Sequence, residues 1–158
     1  MKNNDDKLWA PWRSRYIYLR KNKKCIFCSP KDYILEKTKY SFSMLNLYPY
    51  NNGHVMVAPS RHVKSLEYLK AEELKDLMDL VVRTKKILDK KIKPHGYNIG
   101  LNIGKAGGAG FAGHVHIHVV PRWNGDTNFM PAACGTKVIS ESLDVMRKIY
   151  KSSLRGRR

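Results

Sequence analysis

Apolar and polar side chains alternate in two parts of the chain, and this alternation predicts two pairs of β-strands. The first pair comprises residues 40–47 and 54–59, which are joined by a turn rich in Asn, Pro and Gly. The second pair comprises residues 97–103 and 114–120, and a glycine-rich segment connects them. A period of two residues is typical of a strand with one buried face, and turn residues mark where each strand ends.

A helical period appears between the two strand pairs and again near the end of the chain. Residues 71–91 are predicted to form a long helix, with Pro94 just beyond its end. Residues 140–151 are predicted to form a shorter helix, with apolar residues on one face. Strand pairs that flank one long helix favour an α+β fold, in which an antiparallel sheet is covered by helices. The apolar stripe of the long helix comprises Leu74, Leu77, Met78, Val81 and Leu88, and that of the short helix comprises Leu143, Met146 and Ile149.

The length of 158 residues fits one hydrophobic core, and no internal repeat divides the chain. We expect a basic, aromatic N-terminal arm at 1–24, a central domain at 25–131, and a C-terminal helix with a basic tail at 132–158. No segment approaches the roughly 20 apolar residues of a membrane span. The first residues are polar and no apolar signal core follows them, so we expect a cytoplasmic protein without a membrane partner.

The charge of the chain adds a class of partner to this picture. Lys and Arg number 30 against 13 Asp and Glu, for a net charge of +17. Such a field attracts polyanions, including nucleotides, polyphosphates and nucleic acids. The basic residues are spread along the chain, however, which is more typical of a solvated surface than of a binding groove. A nucleic-acid partner is therefore left open but is not favoured.

Three histidines alternate with apolar residues in the last predicted strand, as His114-Val115-His116-Ile117-His118. Every second side chain of a strand points to the same face, so the imidazoles form a row while the apolar residues face the core. Polar residues on a solvent-exposed face are a poor explanation for three imidazoles in a row. Two chemical interpretations follow. The row is either a metal site or a histidine nucleophile whose neighbours fix its tautomer and stabilise charge.

A glycine-rich loop leads directly into the histidine row and favours the nucleophile over the metal site. Five glycines fall between residues 104 and 113. A glycine-rich backbone can present its N–H groups to an anion such as phosphate. The sequence therefore predicts a phosphate-binding loop beside a reactive histidine.

The cysteines do not suggest a disulfide framework, because there are three and two of them form the pair Cys25-x-x-Cys28. This spacing is that of a zinc knuckle, which needs two further ligands. The alternatives are a reduced thiol pair and a redox motif. The redox motif is disfavoured because residues 28–30 do not open an obvious helix after a strand. Cys134 is interpreted as a free thiol.

The histidine row has the pattern His-φ-His-φ-His-φ-φ, where φ is apolar, and it resembles the signature of the histidine triad (HIT) superfamily of nucleotide hydrolases and transferases. The resemblance extends over residues 7–131. Residues 9–13, Trp-Ala-Pro-Trp-Arg, and residues 121–131 are similar to the microbial branch of diadenosine tetraphosphate phosphorylases and hydrolases. The resemblance implies a HIT-like antiparallel sheet with one long and one short helix. It also implies a homodimer in which the two sheets join.

The resemblance also assigns roles to the histidines. His116 is implied to be the nucleophile that attacks the α-phosphorus and forms a nucleotidyl-histidine intermediate. His118 is implied to donate to the phosphate oxygens, and His54 resembles the family's fourth histidine. No catalytic metal is required in the family. The expected function is cleavage of dinucleoside polyphosphates, such as diadenosine tetraphosphate, by hydrolysis or phosphorolysis.

Nucleotide binding is implied for an asparagine on the first strand pair and for the glycine loop. Many relatives carry Gln and Ser or Thr just before the triad, where this chain has Gly110-Phe111-Ala112-Gly113. Backbone N–H groups and Lys105 would have to replace those side chains in phosphate recognition. The nucleotide-binding residues expected on these grounds are Asn46, Asn102, Lys105, Gly107, Gly108 and Gly110.

A structural zinc site is a further implication of the resemblance. Relatives that carry the cysteine pair complete the site with a histidine after the His54-type strand and with the first histidine of the triad. Those positions match His62 and His114. The expected zinc ligands are Cys25, Cys28, His62 and His114.

Two other functions are compatible with the same residues. One is a related nucleotidyl transferase or nucleoside phosphoramidase, which differs in the acceptor of the second step. The other is a nucleic-acid-binding HIT protein that removes adenylate from DNA or RNA ends. The high positive charge supports this second alternative, whereas the lack of an appended DNA-binding module argues against it.

Overall fold

The computed structural model of the chain describes residues 25–30, 33–126 and 141–155. The predicted arm at 1–24 and Cys134 lie outside these ranges. The division into arm, central domain and tail therefore stays a prediction. No helix among the described residues has both the length and the apolar character needed to cross a membrane.

A five-stranded antiparallel sheet forms the centre of the fold, in the order β1-β2-β3-β5-β4. Both predicted strand pairs are confirmed, because β2 pairs with β3 and β4 pairs with β5. The edge strand β1 was missed by the sequence analysis, since its four residues are few and a register irregularity interrupts its pairing. The strands are β1 Ile34–Lys37, β2 Ser41–Leu45, β3 Val55–Pro59, β4 Gly96–Leu101 and β5 Ile117–Arg122.

Two helices cover one face of the sheet, α1 at Ala71–Ile92 and α2 at Leu143–Arg155. Both were predicted, and α2 lies a few residues later than expected. At the start of α1, the carboxylate of Glu73 accepts a hydrogen bond from the Lys70 backbone N–H at 2.8 Å. At its end, Lys93 adopts a left-handed conformation with φ of 45° and Pro94 follows, so the helix cannot continue.

The main core lies between the sheet and the helices. Alternate residues of β3 and β5 face α1, while Met146 and Tyr150 of α2 close the layer beside them. Two residues of the predicted α1 stripe are not in this core, because Leu74 is 40% exposed and Met78 is 45% exposed. The buried strand and α1 residues of this core include Val55, Val57, Ile117, Val119, Leu77, Leu80, Val81, Ile87 and Leu88.

A second, smaller apolar cluster lies apart from the main core. It contains Phe42 and Met44 from β2, and Met56 and Ala58 from β3. These residues alternate along their strands with residues that face the helices, so they point to the opposite side of the sheet. His118 shares that side, because it pairs with Met56 and alternates with Ile117 and Val119. The sheet therefore separates the helix-covered core from the side that carries the histidines.

The histidine segment is only partly a strand, which corrects the prediction for residues 114–120. β5 begins at Ile117, so His114 and His116 precede it. The ladder between β3 and β5 ends there because the next hydrogen-bonding position on β3, opposite Val115, is Pro59, which has no N–H to donate. Instead, Val115 N–H donates to Val63 O at 2.7 Å. The chain stays extended enough for the three imidazoles to be neighbours.

Gly53 and Gly104 form a matched pair for testing how tightly the core is packed. Both have positive φ, 70° and 72°, so alanine is strained at either position. A Cβ at Gly53 would also lie 2.8 Å from Ile92 Cδ1 and 3.2 Å from Met146 Cε, whereas a Cβ at Gly104 would meet nothing within 4 Å. We expect Gly104→Ala to lower the free energy of unfolding by about 1 kcal/mol. Gly53→Ala should lower it by roughly a further 1–3 kcal/mol because of overpacking. Urea titration of both variants measures the difference, and equal losses would contradict the packing described here.

Candidate active site

His116 is held in one tautomer by the backbone. Its Nδ1–H donates to the carbonyl oxygen of His114 at 2.9 Å. A carbonyl can only accept, so the proton lies on Nδ1 and the lone pair lies on Nε2. Burial lowers the pKa of His116 from its ordinary value, and the imidazole is only 5% exposed. A neutral ring with a free Nε2 lone pair is the form that acts as a nucleophile.

His54 and His118 form a hydrogen-bonded pair whose proton positions are also determined. The backbone N–H of Tyr50 donates to His54 Nδ1 at 3.0 Å, so the proton of His54 lies on Nε2. That Nε2–H donates to His118 Nδ1 at 2.9 Å, which leaves the proton of His118 on its own Nε2. The outer nitrogen of His118 is therefore a donor, whereas the outer nitrogen of His116 is an acceptor.

Both members of this pair are neutral at physiological pH. Burial, followed by the neighbouring His118 and His116, lowers the pKa of His54 to about 3. Burial and the neighbouring His116 lower the pKa of His118 to about 4. The rings of His116 and His118 lie edge to face, 4.9 Å between centroids. The half-exposed ring of Tyr50 lies over the pair, 4.8 Å from His54 and 5.6 Å from His118.

Asn46 lies beside His54, as expected for a residue of the same site. Its Oδ1 accepts from the Tyr48 N–H at 2.9 Å, which turns its Nδ2 toward His54 Nδ1 at 3.3 Å. The backbone N–H of Asn46 also donates to His54 O at 3.0 Å. The asparagine that the resemblance assigns to nucleotide binding thus contacts His54.

The glycine loop connects β4 to the histidine segment and is closed by its own hydrogen bonds. Asn102 Nδ2 donates to Gly108 O at 3.3 Å, and Gly108 N–H donates to Lys105 O at 3.0 Å. Gly108 has φ of 82°, and a Cβ at Gly107 would collide with the Ile103 carbonyl oxygen. Glycine is therefore needed at both positions by the backbone itself. Lys105, Gly107 and Gly110 are exposed. The N–H of Gly108 is engaged inside the loop, so this group can bind an anion only if the loop opens.

Three separate segments of the chain bring two sulfurs and two imidazoles together. Cys25, Cys28, His62 and His114 each offer one ligand atom, and these atoms lie within 4.8 Å of one another. His114 Nδ1 is 3.4 Å from Cys25 Sγ, and His62 Nδ1 is 3.1 Å from Cys28 Sγ. His114 Nε2–H donates to Pro59 O at 2.9 Å, which leaves the Nδ1 lone pair toward the sulfurs. This cluster is a candidate metal site.

The segment that carries His62 is tied to the start of α1. The adjacent residue, Arg61, donates to both carboxylate oxygens of Glu73, at 2.9 and 2.7 Å. It also donates to Tyr68 O. The Arg61 guanidinium lowers the pKa of Glu73. This forked ion pair fixes the backbone from which His62 projects.

Phe27 is a site residue that the sequence analysis missed. It lies between the two cysteines and is 2% exposed. Its ring stacks on His116 with centroids 4.5 Å apart and planes inclined by 30°, and it lies 5.2 Å from His114. An apolar residue inside a Cys-x-x-Cys turn was the only signal for it. Phe27 links the candidate metal site to the ring of His116.

Comparison with known proteins agrees with this arrangement. A family model described as HIT domain matches residues 29–125. The chain is 42% identical over 116 residues to a protein of Mycobacterium tuberculosis named AP-4-A phosphorylase; the match covers 73% of this chain and 60% of that relative. It is 36% identical over 93 residues to an asymmetrical bis(5'-nucleosyl)-tetraphosphatase of Schizosaccharomyces pombe, covering 59% of this chain and 50% of the relative. The matched region therefore spans half to three fifths of each of these relatives.

A solved structure shares the fold. The histidine triad nucleotide-binding protein ST2152 of Sulfolobus tokodaii superposes with a TM-score of 0.69 at 24% sequence identity. The superposition covers 84% of this chain and 93% of that protein. At this identity the similarity concerns the fold alone.

Proposed function

The chain belongs to the HIT domain family, and on this premise we propose that it is an enzyme that cleaves dinucleoside polyphosphates of the diadenosine tetraphosphate class. One observation carries the proposal. The lone pair of His116 Nε2 lies beside His118, whose proton is on its outer nitrogen, so a nucleophile and a hydrogen-bond donor are neighbours. The names of the two relatives support this substrate class.

The reaction proceeds in two displacements at the α-phosphorus. Nε2 of His116 forms a P–N bond while the P–O bond to the leaving nucleotide breaks. Nδ1–H of His116 continues to donate to the His114 carbonyl, which stabilises the positive charge that develops on the ring. Water or inorganic phosphate then attacks the same phosphorus and releases His116. His118 Nε2–H donates to the phosphate oxygens as their negative charge grows.

The nucleotide lies along the side of the sheet that carries the histidines. Asn46 holds the ribose, and the glycine loop receives the phosphates through Lys105 and the exposed backbone of Gly107 and Gly110. Asn102 acts on Gly108, whose carbonyl it binds, and so sets the shape of the loop. The net charge of +17 draws the polyphosphate toward the protein.

Cys25, Cys28, His62 and His114 are proposed to hold a structural zinc ion. Typical bond lengths of about 2.3 Å to sulfur and about 2.0 Å to nitrogen put tetrahedral S and N ligands roughly 3.5 Å apart. The S···N distances of 3.1, 3.4 and 3.8 Å fit this spacing. When bound, the ion supplies a cross-link between three separate segments of the chain. It takes no part in the displacements at phosphorus.

A second copy of the chain is the proposed partner at the β4 edge of the sheet. β4 has β5 on one side and ends the strand order on the other. Ile99 of β4 is 45% exposed, and α1 presents Leu74, Met78 and Val82 one helical turn apart. Tyr97 of β4 donates to Asp89 of α1, so the helix and the edge strand form one surface. Pairing two such edges would join the sheets and cover both apolar sets.

The nucleophile assignment predicts that His116→Ala loses cleavage of diadenosine tetraphosphate by roughly three orders of magnitude or more, because no neighbouring ring can form the same P–N bond. His95→Ala is the matched control, since the His95 imidazole is exposed, lies outside the histidine row and accepts from the Asn124 N–H. Products should be identified with and without inorganic phosphate. AMP with ATP indicates water as the acceptor, and ADP with ATP indicates phosphate. Turnover by His116→Ala at the wild-type rate would refute the mechanism.

The metal assignment predicts about one zinc per purified chain by elemental analysis. Cys25→Ser should lose the ion and unfold at a lower temperature, because the cross-link is gone. Cys134→Ser is the control and should keep the zinc. Protein that neither contains zinc nor takes it up from solution would show that the cluster is a set of thiols and imidazoles without a metal.

The interface assignment predicts a dimeric mass in analytical ultracentrifugation. Met78→Glu places a charge between the exposed apolar residues Leu74 and Val82 and should shift the chain toward a monomer. Lys148→Glu, an exposed position on α2 rather than α1, should leave the dimer intact. A wild-type chain that is monomeric at micromolar concentration would contradict the proposed edge pairing.

A further inference from the structure

The proton on the outer nitrogen of His118 depends on a choice between two arrangements of the histidine pair. In one, His54 Nε2–H donates to His118 Nδ1. In the other, His118 Nδ1–H donates to His54 Nε2, and the outer nitrogen of His118 has no proton. Both arrangements contain one hydrogen bond between the same two atoms. What separates them is the donor that faces His54 Nδ1.

That donor belongs to the turn between β2 and β3. The Tyr50 N–H reaches His54 Nδ1 at 3.0 Å, and Asn46 Nδ2 adds a second, longer contact at 3.3 Å. Asn46 is oriented by the Tyr48 N–H of the same turn. Any displacement of this turn removes both donors from His54 together. The position of the turn thus decides which arrangement the pair adopts.

Asn51 anchors the turn to a part of the chain that lies 70 residues away in sequence. It is 5% exposed, and its carbonyl oxygen accepts from the His54 N–H at 3.2 Å. Its Nδ2 donates to Pro121 O at 2.9 Å and to Asp126 Oδ2 at 2.7 Å. The side chain therefore uses its amide hydrogens on the end of β5 and on the segment that follows it.

Asp126 is itself a fixed point. Arg122 Nε and NH2 donate to its two oxygens at 2.6 and 2.7 Å, and the Trp123 N–H donates at 3.2 Å. The Asp126 side chain is 9% exposed. A carboxylate that accepts a forked guanidinium and a backbone N–H has little freedom to move. The Asn51–Asp126 contact therefore joins the turn to a rigid group.

We propose that Asn51 and Asp126 are positioning residues that fix the proton of His118 on its outer nitrogen, by holding the turn whose N–H groups face His54. Neither residue touches the reacting atoms. Their effect passes through Tyr50 N–H to His54, and from His54 to His118. The catalytic value of this arrangement rests on the proposed function, but the proton positions themselves do not.

The test is a long-range ¹H–¹⁵N correlation spectrum of protein labelled at histidine, which distinguishes a proton on Nδ1 from one on Nε2. In the wild type at pH 7.5, His54 and His118 should both carry the proton on Nε2. Asn51→Ala should move a measurable fraction of the His118 protons to Nδ1. It should also lower kcat for diadenosine tetraphosphate about 10–100-fold with little change in KM, because a donor that acts in the transition state is lost.

Asp126→Asn is the milder variant, since it keeps the shape of the side chain and should shift the same signals by a smaller fraction. Asp76→Asn is the control. Asp76 of α1 also accepts from a distant backbone N–H, that of Tyr40, which lies in the turn between β1 and β2 and not in the turn that faces His54. The Asp76→Asn protein should be less stable than the wild type, but its imidazole signals should not change.

Unchanged histidine signals in folded Asn51→Ala would overturn the inference. If Asn51→Ala does not fold, unchanged signals in Asp126→Asn would overturn it equally. If Asn51→Ala shifts the histidine signals but the wild type cleaves no dinucleoside polyphosphate, the inference is supported and the proposed function is refuted. Identical shifts in Asp76→Asn would show that any loss of stability moves these protons, and this result would also overturn the inference.

Discussion

The histidine site of this fold depends on main-chain groups that hold His54, His114 and His116 each in one tautomer. Two carbonyl oxygens, those of Pro59 and His114, accept from His114 and His116, and one N–H, that of Tyr50, donates to His54. A neutral imidazole can be either a donor or an acceptor at each nitrogen, so residue type alone does not define its role. The backbone supplies that definition, and the backbone is fixed by the sheet. Which nitrogen of His114 faces the sulfurs, which nitrogen of His116 carries the lone pair and which nitrogen of His118 carries the outer proton all follow from these three contacts and from the bond between His54 and His118.

Burial reinforces the same proton positions. His54 and His114 are almost fully buried, and His116 is 5% exposed. Removing a cationic ring from water is costly, so each of these imidazoles has a lowered pKa and stays neutral. The small apolar cluster around Phe27 contributes to this environment, since its ring lies against His116 and His114. The side of the sheet that carries the histidines is therefore shielded from solvent at His116, while Tyr50 is half exposed nearby.

Periodicity was enough to predict the strand pairs and both helices, because alternation and helical spacing are local properties of the sequence. The resemblance named His62 and His114 as partners of the cysteine pair, and the structure brings the four ligand atoms together. Leu74 and Met78 belong to the apolar stripe that the sequence predicts, yet both are exposed, since a helical stripe does not tell which of two neighbouring surfaces buries it. Phe27 and Asn51 were missed for another reason. Their roles arise from contacts with residues more than 65 positions away, and a single sequence does not record such contacts.

The sheet also places a constraint on how this chain can change. Val57 and Ile117 face the helices, while their neighbours Met56 and His118 face the other side. One strand thus contributes to the stability of the core and to the chemistry through alternate residues. An insertion or deletion of a single residue in β5 would turn the imidazole into the helix-covered core and expose the apolar residues. Such a change would remove stability together with the proposed activity, so length variation in this chain should be confined to the loops.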